Sequence, residues 1–197
     1  MMKIVLASSN KGKLKEIQEI LGEDFELITK EDLDLEDFDV EEDGSSLEEN
    51  AFKKADALYQ ITKEAVLADD TGLFVKALDY GPGVHTARYA GEECDSEKNN
   101  KKMLDELKNI EVLEERKAYF KTIICFISKD GNAEYIEGIM DGYIALEESG
   151  KEGFGYDPIF IPEGYNKTIA NLDSQVKNTI SHRAKALANL KAFMEKK

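Results

Sequence analysis

The stretch from Ala118 to Leu146 holds two long runs, "AYFKTIICFIS" and "AEYIEGIMDGYIAL", divided by "KDGN". Aromatic and β-branched residues fill both runs, and Asp130-Gly131 is a preferred hairpin dipeptide, so this segment predicts a long β-hairpin. The chain before it has another texture. "KIVLAS" reads as a short buried strand, followed by a helical period at Leu14, Ile17, Ile20 and Leu21 with Gly22 as its stop. "FELI" is a second strand, and the acidic stretch Glu31 to Asp43 is a loop closing at Gly44. "SSLEENAFKKADALYQITK" is a helix capped by Ser45 or Ser46, with Glu48 or Glu49 as the capping-box partner. "AVLAD" and "LFVKAL" are two short strands divided by a turn at Asp69-Asp70-Thr71-Gly72. "YGPGVHTARYAGEE" is a loop, "SEKNNKKMLDELKNI" a helix, and "GFGYDPIF" a loop running into a strand. "ISHRAKALANLKAFMEK" is a final helix with a stripe of Ala186, Leu187, Leu190 and Phe193 or Met194. Strand–helix units together with a long hairpin require an α/β fold with a mixed sheet.

The 197 residues suit a single domain spanning residues 1–197, with no separable linker. Forty-one acids against 26 bases give a net charge of -15, which excludes a broad nucleic-acid or anionic-membrane footprint but leaves room for a local lysine cluster. No apolar run approaches the roughly 18 residues of a membrane span. The apolar stretch Ile4 to Ser9 is too short for a signal peptide, so a cytoplasmic chain with reduced thiols is expected. Cys125, inside "TIICFI", reads as a core residue.

Five segments carry groups suited to chemistry. "SSNKGK" (Ser8, Ser9, Asn10, Lys11, Gly12, Lys13) joins a strand to a helix, where free N–H groups and lysines bind anions; the alternative is an Asn10 or Ser9 cap beside solvated lysines. Asn50 and Lys54 share a helix face, with Lys54 bordering the apolar stripe, where it can also snorkel to water. Asp69 and Asp70 end a buried strand, where open sheets present ligand groups, and a carboxylate pair suits Mg²⁺; an ordinary Asx turn is the alternative. "GFGYDPIF" sets two aromatics and Asp157 in one turn, able either to clamp a planar ring or to return to the core. "KNTISHR" places His182 beside Arg183 at a helix start. With two histidines in the chain and no nucleophile elbow, neither a Ser-His-Asp triad nor a zinc site can be drawn.

Taken in order, "SSNKGK", "EENAFKKA", "ADDTG", "PGVHTARYAG", "FGYDPIF" and "SHRAKAL" resemble the inosine triphosphate pyrophosphatase family, over about residues 3 to 190. The resemblance implies a long twisted mixed sheet with flanking helices, in two lobes around a central cleft, and a homodimer. It implies Mg²⁺-dependent hydrolysis of ITP, dITP and XTP to the monophosphate and pyrophosphate. By matching positions, Ser8 to Lys13 resemble the triphosphate loop, with Lys54 assisting. Asp70 resembles the metal ligand and general base, and Thr71 a substrate contact. Glu42 resembles a second metal-side carboxylate, with Glu41 its rival, and either Asp69 or Asp70 could handle the proton. Phe154, Gly155, Tyr156 and Asp157 resemble the base clamp, and Lys177, His182 and Arg183 the reader of the purine edge. A related pyrophosphatase acting on dUTP or modified pyrimidine nucleotides, and a non-catalytic nucleotide-binding module, are the alternatives.

Overall fold

The computed structural model describes residues 2–21 and 24–195. In chain order the strands are β1 (Met2–Leu6), β2 (Phe25–Ile28), β3 (Ala65–Val75), β4 (Pro82–Gly83), β5 (Lys117–Ile127), β6 (Ala133–Ile144) and β7 (Phe160–Pro162). The helices are α1 (Lys11–Leu21), α2 (Leu47–Thr62), α3 (Ser96–Leu107), α4 (Ser174–Ile180) and α5 (His182–Met194). The strands form one sheet in the order β2-β1-β3-β5-β6-β7, with β4 paired to β3. β1 runs parallel to β2 (Ile4 opposite Leu27) and to β3 (Val5 opposite Val66), whereas β3–β4 and β6–β7 are antiparallel. The expected α/β fold with a mixed sheet is what forms. β5 and β6 are neighbours joined by the predicted turn, where Ser128 N–H donates to the Asn132 carbonyl at 2.9 Å and Gly131 takes φ +84°.

Local signals place α2 as expected. Ser46 is its N-cap and accepts from Glu49 N–H at 3.1 Å, and Glu49 reaches back to Ser45 N–H at 2.7 Å. Two expectations need correction. The turn at Asp69-Asp70-Thr71-Gly72 does not form, because β3 is one continuous strand through all four residues. Pairing fixes its two ends, to β1 through Leu67 and to β4 through Leu73, and Gly72 permits the close approach that the second pairing needs. A Cβ at Gly72 would lie 2.7 Å from the Phe74 ring and 2.8 Å from the Gly83 carbonyl. The final helix starts at His182, but α4 precedes it as a separate helix that ends at Ser181 in extended backbone. Gly22, the expected stop of α1, lies outside the described residues.

The chain divides into two compact units. One comprises residues up to Asp70, Thr122–Gly138 and the chain from Arg183 onward; its core packs Ile4, Leu6 and Leu67 with Ile17 of α1 and Leu187 and Leu190 of α5. The other comprises Thr71–Lys121 and Ile139–His182, and its core includes Leu73, Met103, Phe120, Met140, Tyr156 and Phe160. In this second unit Arg116 is buried, with its guanidinium donating to the carbonyls of Leu107, Ile110, Ile144 and Ala145. Burial of that kind is tolerable because each of the three guanidinium nitrogens has a carbonyl partner. Cys125 is buried in the first unit, as expected. Among the described residues, no helix is long and apolar enough to cross a membrane.

Candidate active site

In the first unit, β3 carries Asp69 and Asp70 side by side, and α1, α2 and α5 bring cations to them. Asn10 caps α1, its Oδ1 accepting from Lys13 N–H at 3.1 Å, but Lys13 is not a solvated lysine beside that cap. Capping also fixes the first turn of α1 and with it the origin of the Lys13 side chain. Lys13 Nζ lies 3.1 Å from Asp69 Oδ2. The same oxygen accepts from Arg183 Nε at 3.3 Å and Nη2 at 3.2 Å. Arg183 Nη1 in turn pairs with Glu16 on α1, and Glu16, Asp69 and Arg183 are all buried. Burial alone would push the Asp69 carboxyl up, but Lys13, Arg183 and Lys54 together overcome it and hold the group well below the usual carboxylate range. Burial lowers the Lys13 ammonium, with Asp69 opposing that shift.

Asp70 has different company. Asn50 Nδ2 donates to its Oδ2 at 3.2 Å, and Lys54 Nζ lies 3.5 Å from its Oδ1. Lys54 also meets Glu42 Oε1 at 3.2 Å and donates to the Asp69 carbonyl at 2.7 Å. Of the rival acids in the loop, Glu42 is therefore the one whose carboxylate meets Lys54. Desolvation dominates at Asp70, with Lys54 and Lys13 opposing it and Glu42 adding to it, and the carboxyl is raised to about 6. For Lys54, burial is outweighed by Asp70, Glu42 and Asp69, and the ammonium is raised. The two adjacent aspartates thus stand in opposite conditions, one clamped as an anion and one whose charge is opposed by burial.

Among the described residues, the carboxylates of Glu16, Glu42, Asp69 and Asp70 and the cations Lys13, Lys54 and Arg183 are interleaved in this cluster. Among the described residues no group of three or more His, Cys, Asp or Glu could enclose a metal unaided. That donor set fits an ion that takes one or two carboxylates, here Asp70 and Glu42, and completes its shell with water and substrate oxygens, which is the habit of Mg²⁺.

The second unit holds the other predicted residues. Phe154 N–H donates to Asp157 Oδ2 at 2.9 Å, and Lys177 Nζ donates to the same oxygen at 2.6 Å while standing 4.5 Å from the centre of the Phe154 ring. Gly153 makes this turn feasible: it sits at φ +86°, and a Cβ there would fall 2.0 Å from Asp157 Oδ2. Tyr156 is buried, donates its hydroxyl to the Thr86 carbonyl at 2.7 Å and packs edge-on to Phe120. His182 is buried and stacks on Phe120 at 4.7 Å.

Of the predicted residues, the first unit gathers Lys13, Glu42, Lys54, Asp70 and Arg183, with Ser8, Ser9, Asn10, Lys11 and Gly12 at the start of α1. The second gathers Phe154, Gly155, Asp157 and Lys177, with Thr71 on β3 and with Tyr156 and His182 in its core. Arg183, grouped by sequence with His182 and Lys177, sends its guanidinium to Asp69 and Glu16 instead. Asn50, singled out by its four-residue spacing to Lys54, is buried and links Asp70 to Gly44 N–H. One participant was missed. Glu16 had no local signal, since it reads as an ordinary polar position of α1.

Residues 4–193 match the model of the Ham1 family. The dITP/XTP pyrophosphatase of Clostridium perfringens is 47% identical over 97% of this chain and 96% of that protein. Among solved structures, a HAM1 protein from Coxiella burnetii superposes with a TM-score of 0.88 at 38% identity, covering 100% of both chains. The Staphylococcus aureus Ham1 protein gives 0.85 at 41% identity, covering 98% of each. With its sequence matched nearly end to end, the chain belongs to the Ham1 family.

Proposed function

We propose that this chain is a Mg²⁺-dependent nucleoside triphosphate pyrophosphatase that hydrolyses ITP, dITP and XTP to the monophosphate and pyrophosphate. The observation that carries the reading is the contrast within one strand: Asp69 clamped by Lys13 and Arg183, and Asp70 raised to about 6 beside Lys54 and Asn50. A carboxyl of that pKa is ionised at neutral pH and basic enough to receive a proton. The name of the Clostridium perfringens relative supports the substrate class.

In this reading Asp70 takes a proton from water as its oxygen attacks the α-phosphorus, and the bond to the β-phosphate oxygen breaks to release pyrophosphate. Lys13 and Lys54 bind the phosphate oxygens, while Asp69 and Arg183 keep Lys13 in place. Asp70 and Glu42 would hold Mg²⁺, which when bound supplies charge neutralisation on the triphosphate. For the base, the reading takes Phe154 as stacking face and Lys177 as donor to the 6-oxo group. Adenine presents a 6-amino donor there, and leaving donor against donor costs about 1–3 kcal/mol, roughly tenfold or more in selectivity. A cytoplasmic homodimer completes the proposal. Lys76, Lys117, Asp141 and Glu163 lie around Tyr80 on one face of the second unit, and their mixed charges can pair with a second copy.

The test is incubation with ITP and, separately, ATP in the presence of Mg²⁺, with pyrophosphate and orthophosphate assayed independently. Pyrophosphate from ITP and little from ATP is expected. Orthophosphate as product overturns the chemistry, equal use of ATP overturns the base assignment, and turnover of dUTP alone replaces the purine by a pyrimidine.

A further inference from the structure

Two adjacent asparagines of α3 differ in a way that the reaction above leaves unexplained. Asn99 is satisfied at both ends, its Oδ1 accepting from Ala90 N–H at 2.6 Å and its Nδ2 donating to the Ala87 carbonyl at 2.8 Å. Asn100 is also buried, at 4% exposure, and its Nδ2 donates to the Gly155 carbonyl at 3.1 Å. Its Oδ1, however, is buried without a hydrogen-bond partner among the described residues. An orphaned buried acceptor weakens a fold, and an apolar residue of the same shape removes the penalty. Flipping the amide would set Oδ1 against the Gly155 carbonyl, acceptor against acceptor, so the observed orientation is the better one. The bond to the Gly155 carbonyl offsets that cost, and leucine would leave this carbonyl of a half-buried residue to water, so stability by itself gives asparagine little advantage here.

The bond that the amide donates ends on the loop assigned to the base. Gly155 takes φ +63°, and a Cβ there would find nothing within 4 Å, so that side of the residue is open. The loop is tied on either side of that peptide, by Phe154 N–H to Asp157 and by the Tyr156 hydroxyl to Thr86. We propose that Asn100 is a positioning residue for base binding: its amide fixes the Gly155–Tyr156 peptide, and through it the attitude of the Phe154 ring. The proposal rests on the reading of Phe154 to Asp157 as the base site.

Asn100→Leu keeps the shape and removes both the donor and the orphan, and Asn100→Asp keeps the shape but replaces the amide donor by a carboxylate oxygen that repels the Gly155 carbonyl. Steady-state kinetics of the full chain with ITP and ATP, thermal unfolding, and Phe154→Ala as reference make the test. For Asn100→Leu the expected result is a melting temperature equal to or above that of the parent, kcat for ITP within about twofold, and KM for ITP raised about three- to tenfold, the worth of one hydrogen bond. The preference for ITP over ATP falls with it. If Asn100→Leu does not fold, the same KM rise is required of Asn100→Asp. An unchanged KM while Phe154→Ala raises it overturns the role of Asn100 alone. An unchanged KM in both variants overturns the base-site reading beneath it. A KM rise that appears only with a lowered melting temperature overturns the proposal in favour of a purely structural residue.

Discussion

Replacing Asp70 by asparagine should make the metal-free protein more stable at neutral pH while abolishing turnover. The reasoning starts from burial: Asp70 is 6% exposed, and its carboxyl is raised from 3.8 to about 6. Between those values the native state holds the proton more tightly than the unfolded chain. The stability that Asp70 contributes is thus fully present below about pH 3.8 and is lost as pH rises through about 6. That rise corresponds to about 3 kcal/mol against the fold above pH 6. The attraction of Lys54 is already included, because it acts on the same ionisation. Asparagine mimics the protonated side chain, its Oδ1 can still accept from Asn50, and Lys54 keeps Glu42 and the Asp69 carbonyl. Urea unfolding in EDTA, followed by far-UV circular dichroism from about pH 4.5 to about pH 8, measures the difference between variant and parent. At the upper end the variant should exceed the parent by about 2–3 kcal/mol, and the gap should close towards the lower end. Adding Mg²⁺ should narrow it from the other side, stabilising the parent alone. A variant that is no more stable at about pH 8, or a gap that ignores pH, would refute the argument that Asp70 is kept charged against its surroundings.

Three further outcomes follow from the same geometry. Lys13→Ala should weaken ITP binding about tenfold to a hundredfold and IMP binding by less than about threefold, on the scale of a charge-assisted hydrogen bond, as read by titration calorimetry with a non-hydrolysable analogue; equal losses would remove the start of α1 from the phosphate site. Glu16→Gln should cost about 1.5–3 kcal/mol in urea unfolding by weakening the buried pair with Arg183, and an unchanged midpoint would show that pair to be idle. Gly153→Ala, forced to φ +86° against Asp157, should raise KM for ITP about tenfold while kcat stays within about threefold, and a normal KM would detach this turn from the base.

Much of this could be read from the chain before any coordinates. Periodicity placed α1, α2, α3 and most of α5 but not the short α4, and the Asn50–Lys54 spacing put both side chains on the face that meets Asp70. The Asp-Asp-Thr-Gly turn failed because its composition is a local signal, whereas the strand is held by partners far away in sequence, β1 on one side of it and β4 further on. Arg183 was misgrouped because adjacent residues at a helix start leave the axis about 100° apart, so His182 and Arg183 need not share a destination. Glu16 was invisible because its partner lies 167 residues away, and no spacing within α1 announces such a pairing.

The continuity of β3 has a consequence for how this chain can vary. Neighbouring residues of a strand face opposite ways, so Asp69 and Asp70 cannot trade duties by turning their side chains. One codon gained upstream within β3 would set Ala68 where Lys13 and Arg183 expect a carboxylate, and one codon lost would set Thr71 where Lys54 and Asn50 expect one, leaving composition nearly untouched but emptying one of the two places of its acid. Substitutions around this pair can be absorbed one at a time. A change of phase cannot, and the short stretch from Ala65 to Asp70 should be among the segments of this gene least tolerant of insertion or deletion.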